Sequence, residues 1–177
     1  MPLLRDIAVL LLAVPLALPA TSQPRPLRTG DTLPPLAGQT LTGHFLQLPA
    51  AAQGGQAVLI LSFTRAAGQQ EQQWVRQLTH DHAHPAIYSA IFLESVPRLF
   101  RSLALAGIRG GIPPALQART MILYRDESLW KQRANLADPN HAVVLLLDPQ
   151  GHIRWITSAA FTGSLCGALE QQMRASR

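Results

Sequence analysis

Two unbroken apolar runs of strand length dominate the chain: Ala57-Val58-Leu59-Ile60-Leu61-Ser62-Phe63 and Ala142-Val143-Val144-Leu145-Leu146-Leu147-Asp148. A strand with one wet face alternates apolar and polar residues. A run with no alternation reads as a strand covered on both faces, which happens where helices pack on both sides of a sheet. The runs therefore require an α/β layer. At 177 residues, 47% hydrophobic and only 14% charged, the chain is rich enough in apolar residues to bury such a sheet and is not a disordered chain.

Between and around these runs the pattern changes period. Gln23 to Pro35 is rich in proline and reads as an extended lead-in, and Leu36 to Leu48 reads as a short hairpin with turns at Gly38 and Gly43. Trp74, Val75 and Leu78 recur at helical spacing, which predicts a helix over Gly68 to His80. Ala86 to Leu93 is a second buried strand. Pro97 then opens a helix that Gly107 is expected to end, with a turn at Gly110-Gly111-Ile112-Pro113-Pro114. A short strand over Thr120 to Tyr124 precedes a helix over Ser128 to Asn135 capped by Ser128. The second long run turns at Pro149-Gln150-Gly151 into a partner strand over His152 to Ser158, and Thr162 caps a last helix. No internal repeat or linker breaks residues 36–177, so they read as one domain.

The amino terminus adds an address. Arg5 precedes an apolar stretch, Ile7 to Leu18, too short for a span of about 20 residues, and Ala20-Thr21-Ser22 offers a small-x-small cleavage site. Residues 1–22 read as a signal peptide cleaved before Gln23, which implies a periplasmic or secreted protein. Retention as a membrane anchor is the alternative. The net charge of +5, carried by 15 basic residues of which only Lys131 is lysine, permits a peripheral membrane contact. The arginines are scattered and only two tyrosines are present, so nucleic acid is not an expected partner.

The run Gly30-Asp31-x-Leu33-Pro34 and the segment Leu145 to Trp155, ending Gly151-x-Ile153-Arg154-Trp155, resemble the opening and the closing hairpin of peroxiredoxins and periplasmic thioredoxins. The resemblance implies a thioredoxin-like three-layer sandwich with a mixed central sheet and an N-terminal hairpin. In those families the redox cysteines open the helix after the first buried strand. Here Gly68 and Glu71 stand roughly where a CxxC would, and Asn140-His141-Ala142 stands where the thioredoxin proline would. The chain is more similar still to the mitochondrial ATP synthase assembly factor ("ATPase ten") family and its bacterial relatives, thioredoxin-like domains usually without the CxxC. That resemblance, over roughly Leu33 to Met173, implies a non-redox assembly or chaperone role at a membrane complex, with a protein partner and no cofactor.

The remaining candidates are few. The single Cys166 excludes an intrachain disulfide and reads as a small buried hydrophobe in the last helix. His80-x-His82-x-His84 is the one metal-like cluster, on a segment expected to be a solvated helix end and loop. No G-x-S-x-G, P-loop or paired-carboxylate spacing is present, so no catalytic residue is assigned. The expected partner-binding site is the first helix start, with Arg65, Gly68 and Gln69, joined by His141, Arg154 and Trp155. Arg65, Arg109, Arg125 and Arg154 are candidates to line one face. The rival readings are a small-molecule or metal-binding module of the periplasm, and an enzyme of peroxiredoxin ancestry with altered chemistry.

Overall fold

The computed structural model describes residues 24–79 and 85–176. The expected signal peptide and His80, His82 and His84 lie outside them. Seven strands form one sheet: β1 (Leu36–Thr40), β2 (Phe45–Leu48), β3 (Ala57–Ser62), β4 (Ala86–Phe92), β5 (Thr120–Leu123), β6 (Val143–Leu147) and β7 (Ile153–Thr157). Their order across the sheet is β2-β1-β5-β4-β3-β6-β7. β3, β4 and β5 run parallel, while β6 and β7 on one side and β1 and β2 on the other are antiparallel. The sheet is mixed and carries the N-terminal hairpin, as the sequence order predicts.

Every residue of β3 and β6 is buried, because each strand faces helices on both sides. Val58, Ile60, Val144 and Leu146 pack against Trp74 and Leu78 of α1 (Arg65–Leu78) and Cys166, Leu169 and Met173 of α5 (Gly163–Ala175). Leu59, Leu61, Leu145 and Leu147 face the other way, against Leu33 of the lead-in and Trp130 of α4 (Glu127–Arg133). α2 (Arg98–Gly111) covers Leu93 and Ile122 with Leu105 and Ile108, and is followed by the single-turn α3 (Pro114–Gln117). The lead-in is strapped down: Leu27 N–H donates to the Arg133 carbonyl, and Asp31 and Leu33 exchange backbone hydrogen bonds with Ile153 and Gly151.

Three helix boundaries differ from the sequence expectation, each for a local reason. α1 starts at Arg65 rather than Gly68, because Thr64 is the cap: its hydroxyl accepts from the Ala67 N–H at 3.1 Å. α2 runs through Gly107, and Gly110 and Gly111 belong to the helix rather than to a turn. It stops when Ile112, which precedes Pro113, turns extended (φ −109°, ψ 125°). α4 starts at Glu127, preceded by a left-handed Asp126 (φ 63°), so Ser128 is not its cap. Thr162 does cap α5, accepting from the Leu165 N–H at 3.2 Å. Among the described residues no helix is long and apolar enough to cross a membrane.

Candidate functional site

Because β3, β4 and β5 are parallel, the segments leaving their carboxyl ends gather on one rim of the sheet. In open α/β sheets this rim is where ligands bind. β6 is antiparallel to β3, with Leu61 opposite Val143, so the residues just before β6 reach the same rim. So does Ser158, just beyond Thr157, which pairs with Val144.

Thr64 is the joint of this rim. Besides capping α1, its hydroxyl lies 3.2 Å from the Pro139 carbonyl and 3.3 Å from Asn140 Oδ1. The loop it touches is held by Asp138, whose Oδ1 accepts from the Asn140 N–H at 2.9 Å and whose Oδ2 lies 3.5 Å from His141 Nε2. His141 Nδ1 lies 3.2 Å from the Ser158 carbonyl, which ties the loop to the end of β7. Gln70 Oε1 accepts from the Phe161 N–H at 3.3 Å, fastening α1 to the approach of α5.

With Thr64 satisfying the Ala67 N–H, the Arg65 and Ala66 N–H groups precede the first bond of the helix, Gly68 N–H to the Thr64 carbonyl. Such a start favours an anionic group. Arg65 and Gln69 are exposed beside it, and Gly68 opens onto space that a Cβ would not fill. Arg65, Gly68, Gln69 and His141 are thus brought to one rim, as the sequence suggests.

Trp155 and Arg154 are not. Trp155 is half-buried under α1, edge-on to Trp74 at 6.3 Å, and serves the core. Arg154 stands where the β6–β7 register shifts between Leu146 and Leu147. That is the Ala57 end of β3, since Leu147 pairs with Ala57. Its guanidinium donates to Asp148 Oδ2 from both Nε and Nη2 at 2.9 Å. Burial opposes ionisation of Asp148, but the N–H groups of His152 and Gln150, the His152 ring and Arg154 together hold its carboxyl below the usual range. The expected single arginine face also dissolves. Arg65 and Arg125 lie at the rim, Arg109 bonds the Leu41 carbonyl from the last turn of α2, and Arg154 is at the opposite end.

Glu71, which the sequence marks only as a place where a CxxC cysteine would stand, turns out to be a buried carboxyl group. It is buried on α1, with the Ser62 hydroxyl donating to Oε2 at 2.5 Å. Burial pushes its carboxyl above the usual range, against the opposing hydrogen bonds from Ser62 and Ser89. A cavity of about 90 Å³ lies beside it, bounded also by Val75, Ser89, Ile112 and Thr120. The helical spacing of Glu71, Trp74 and Leu78 was the available signal, since it puts a carboxylate on the buried stripe. Cys166 is buried in α5, and its thiol is pushed up to about 11 by burial and by the Glu170 carboxylate, so it is a poor nucleophile. No cluster of three potential metal ligands occurs among the described residues.

The family model described as "ATP10 protein" matches residues 29–170. This chain belongs to the ATP10 protein family. The match takes in the second half of the lead-in, the rim and the closing hairpin. No curated protein matches the chain by sequence. Solved structures match its fold. A thiol:disulfide interchange protein DsbE from Chlorobium tepidum superposes with a TM-score of 0.60 at 17% identity, covering 85% of this chain and 98% of that one. An exposed lipoprotein thioredoxin from Streptococcus pneumoniae gives 0.57 at 8% identity, covering 80% and 99%. A peroxiredoxin-like protein from Aquifex aeolicus gives 0.55 at 9% identity, covering 83% and 88%. At these identities the likeness shows a thioredoxin-like fold and nothing of the chemistry.

Proposed function

We propose that this chain is an assembly factor that uses its thioredoxin-like rim to hold a protein partner rather than to exchange disulfides, that the partner belongs to a membrane complex, and that the protein works after export. Membership of the ATP10 family and the fold support an assembly factor. The observation that carries the mode of action is Thr64. Because α1 starts at Arg65, the helix start where thioredoxin chemistry needs a thiolate falls at Thr64 rather than at Gly68, and the Thr64 hydroxyl is committed to the Ala67 N–H and to the Pro139–Asn140 loop. What the rim offers is a fixed helix start with free N–H groups and Arg65 beside it. That arrangement suits a carboxylate on a partner.

The test is recovery of partners by cross-linking the tagged full chain in detergent-solubilised membranes, compared with Gly68→Arg and Arg65→Glu. Gly68→Arg adds bulk in open space, so folding is preserved while the rim is blocked. The expected result is one reproducibly enriched membrane complex, lost in both variants. Enrichment of nothing overturns the assembly reading, and recovery untouched by either variant overturns the rim. For export, the intact mass of the protein from the extracytoplasmic fraction should begin near Gln23, and a mass including Met1 would sink cleavage.

A further inference from the structure

The first half of α2 carries an apolar surface that no described residue covers. Its inner face, with Leu105 and Ile108, packs on Leu93 and Ile122. Its outer face is led by Leu99 and Leu103, 82% and 73% exposed and one turn apart, with Phe100 at 54% on the flank. Ala106, Gly107 and Gly110 continue this side with no bulk and no polar group. Tyr124, at the end of β5, is a separate exposed aromatic: its ring lies 5.0 Å under the Arg101 guanidinium, on the Leu105 side of the helix. Of the five large hydrophobic residues exposed among the described residues, three therefore lie within one turn of one helix. Scattered exposed leucines need no explanation, but a cluster does.

Charge decides what suits it. α2 contains Arg98, Arg101 and Arg109 and no acidic residue in its 14 positions. Arg98 borders the patch and has no ion-pair partner among the described residues. Leucine and phenylalanine on one side with arginine at the border describe a helix that lies in the surface of an anionic bilayer. A second copy of this chain would bring the same arginines together, on a protein of net charge +5. The centre of the face also lacks hydrogen-bonding side chains that would orient a protein partner.

We infer that the outer face of α2, through Leu99, Phe100 and Leu103 with Arg98, docks the protein on anionic lipid. This goes beyond the rim reading and stands on α2 alone. α1 and α2 leave parallel strands at the same rim, so the docked orientation holds that rim close to the bilayer.

The test is co-sedimentation of the full chain with phosphatidylcholine vesicles, with and without about one-third phosphatidylglycerol. Wild type should bind the anionic vesicles. Leu99→Asp/Leu103→Asp should weaken binding at least about tenfold, and Arg98→Glu should weaken it and flatten its salt dependence. The circular dichroism of all variants is compared with wild type, and Arg98→Glu with Leu99→Ser replaces the double aspartate variant should that one misfold. Equal binding by wild type and variants overturns the proposal and moves the contact elsewhere, for example to Ile7–Leu18. Equal binding to both vesicle types, or none at all, overturns it too. So does self-association of the wild type, lost in the variants, without vesicle binding.

Discussion

Glu71 carries a carboxyl group into the contact between α1 and the sheet, where Ser62 donates to it and Ser89 stands near. Its raised pKa fixes the sign of a linkage. In the unfolded chain Glu71 loses its proton in the usual carboxylate range, while in the folded chain it holds the proton to higher pH. Between those two values the folded state binds more protons, so stability falls as pH rises, by up to about 1.4 kcal/mol per pH unit. Gln in place of Glu keeps an acceptor for Ser62 and has nothing to ionise. Glu71→Gln should therefore be close to wild type near pH 4 and gain on it steadily as pH rises. Urea unfolding of both proteins at several pH values reads this directly, and parallel profiles would show that Glu71 does not titrate in that window.

Each long helix that starts after a threonine gives a comparison at the scale of elements. Thr162 caps α5 and its hydroxyl otherwise meets only Ser164, 3.0 Å away. Thr64 caps α1 and also reaches Pro139 and Asn140, more than seventy residues further along the chain. Thr162→Ala should cost about 1 kcal/mol, the usual loss of a cap. Thr64→Ala should cost more, and hydrogen exchange should accelerate in residues 138–141 for that variant alone. Equal costs with an undisturbed loop would reduce Thr64 to a cap. The same two elements show what the sequence could reveal. β3 and β6 were legible because burial on both faces leaves an unbroken apolar run. The start of α1 was not, because its apolar stripe begins only at Ala67 and a threonine cap looks like any loop threonine. α2 outran Gly107 because a glycine inside an amphipathic helix costs only about 1 kcal/mol relative to alanine, less than the packing of Leu105, Ile108 and Ile112 supplies.

At the scale of the whole molecule the sheet separates two polar clusters. The rim of Thr64, Asn140 and His141 lies at one end of β3, and Asp148, His152 and Arg154 lie at the other, about 20 Å away for a strand of this length. The adjacency of Arg154 and Trp155 in sequence hid this, because which end of the sheet a residue occupies depends on strand direction and on the register shift between Leu146 and Leu147. Contacts such as Thr64 with Asn140 were equally hidden, since only the pairing of β3 with β6 brings them together. The separation assigns different consequences to the two ends. Arg154→Ala removes two hydrogen bonds from a buried carboxylate that its turn still satisfies through the Gln150 and His152 N–H groups. It should cost about 1–3 kcal/mol of stability at neutral pH, and Asp148 should then protonate at a higher pH than in wild type, so the deficit shrinks in acid, where the wild-type carboxyl takes up its proton too. Partner recovery, measured well below the unfolding temperature, should stay within about twofold of wild type, because sites that share no contacts act independently. Gly68→Arg should show the reverse, with stability kept and the partner lost. A variant at Arg154 that folds stably yet loses the partner would move the binding site from the rim to the turn between β6 and β7.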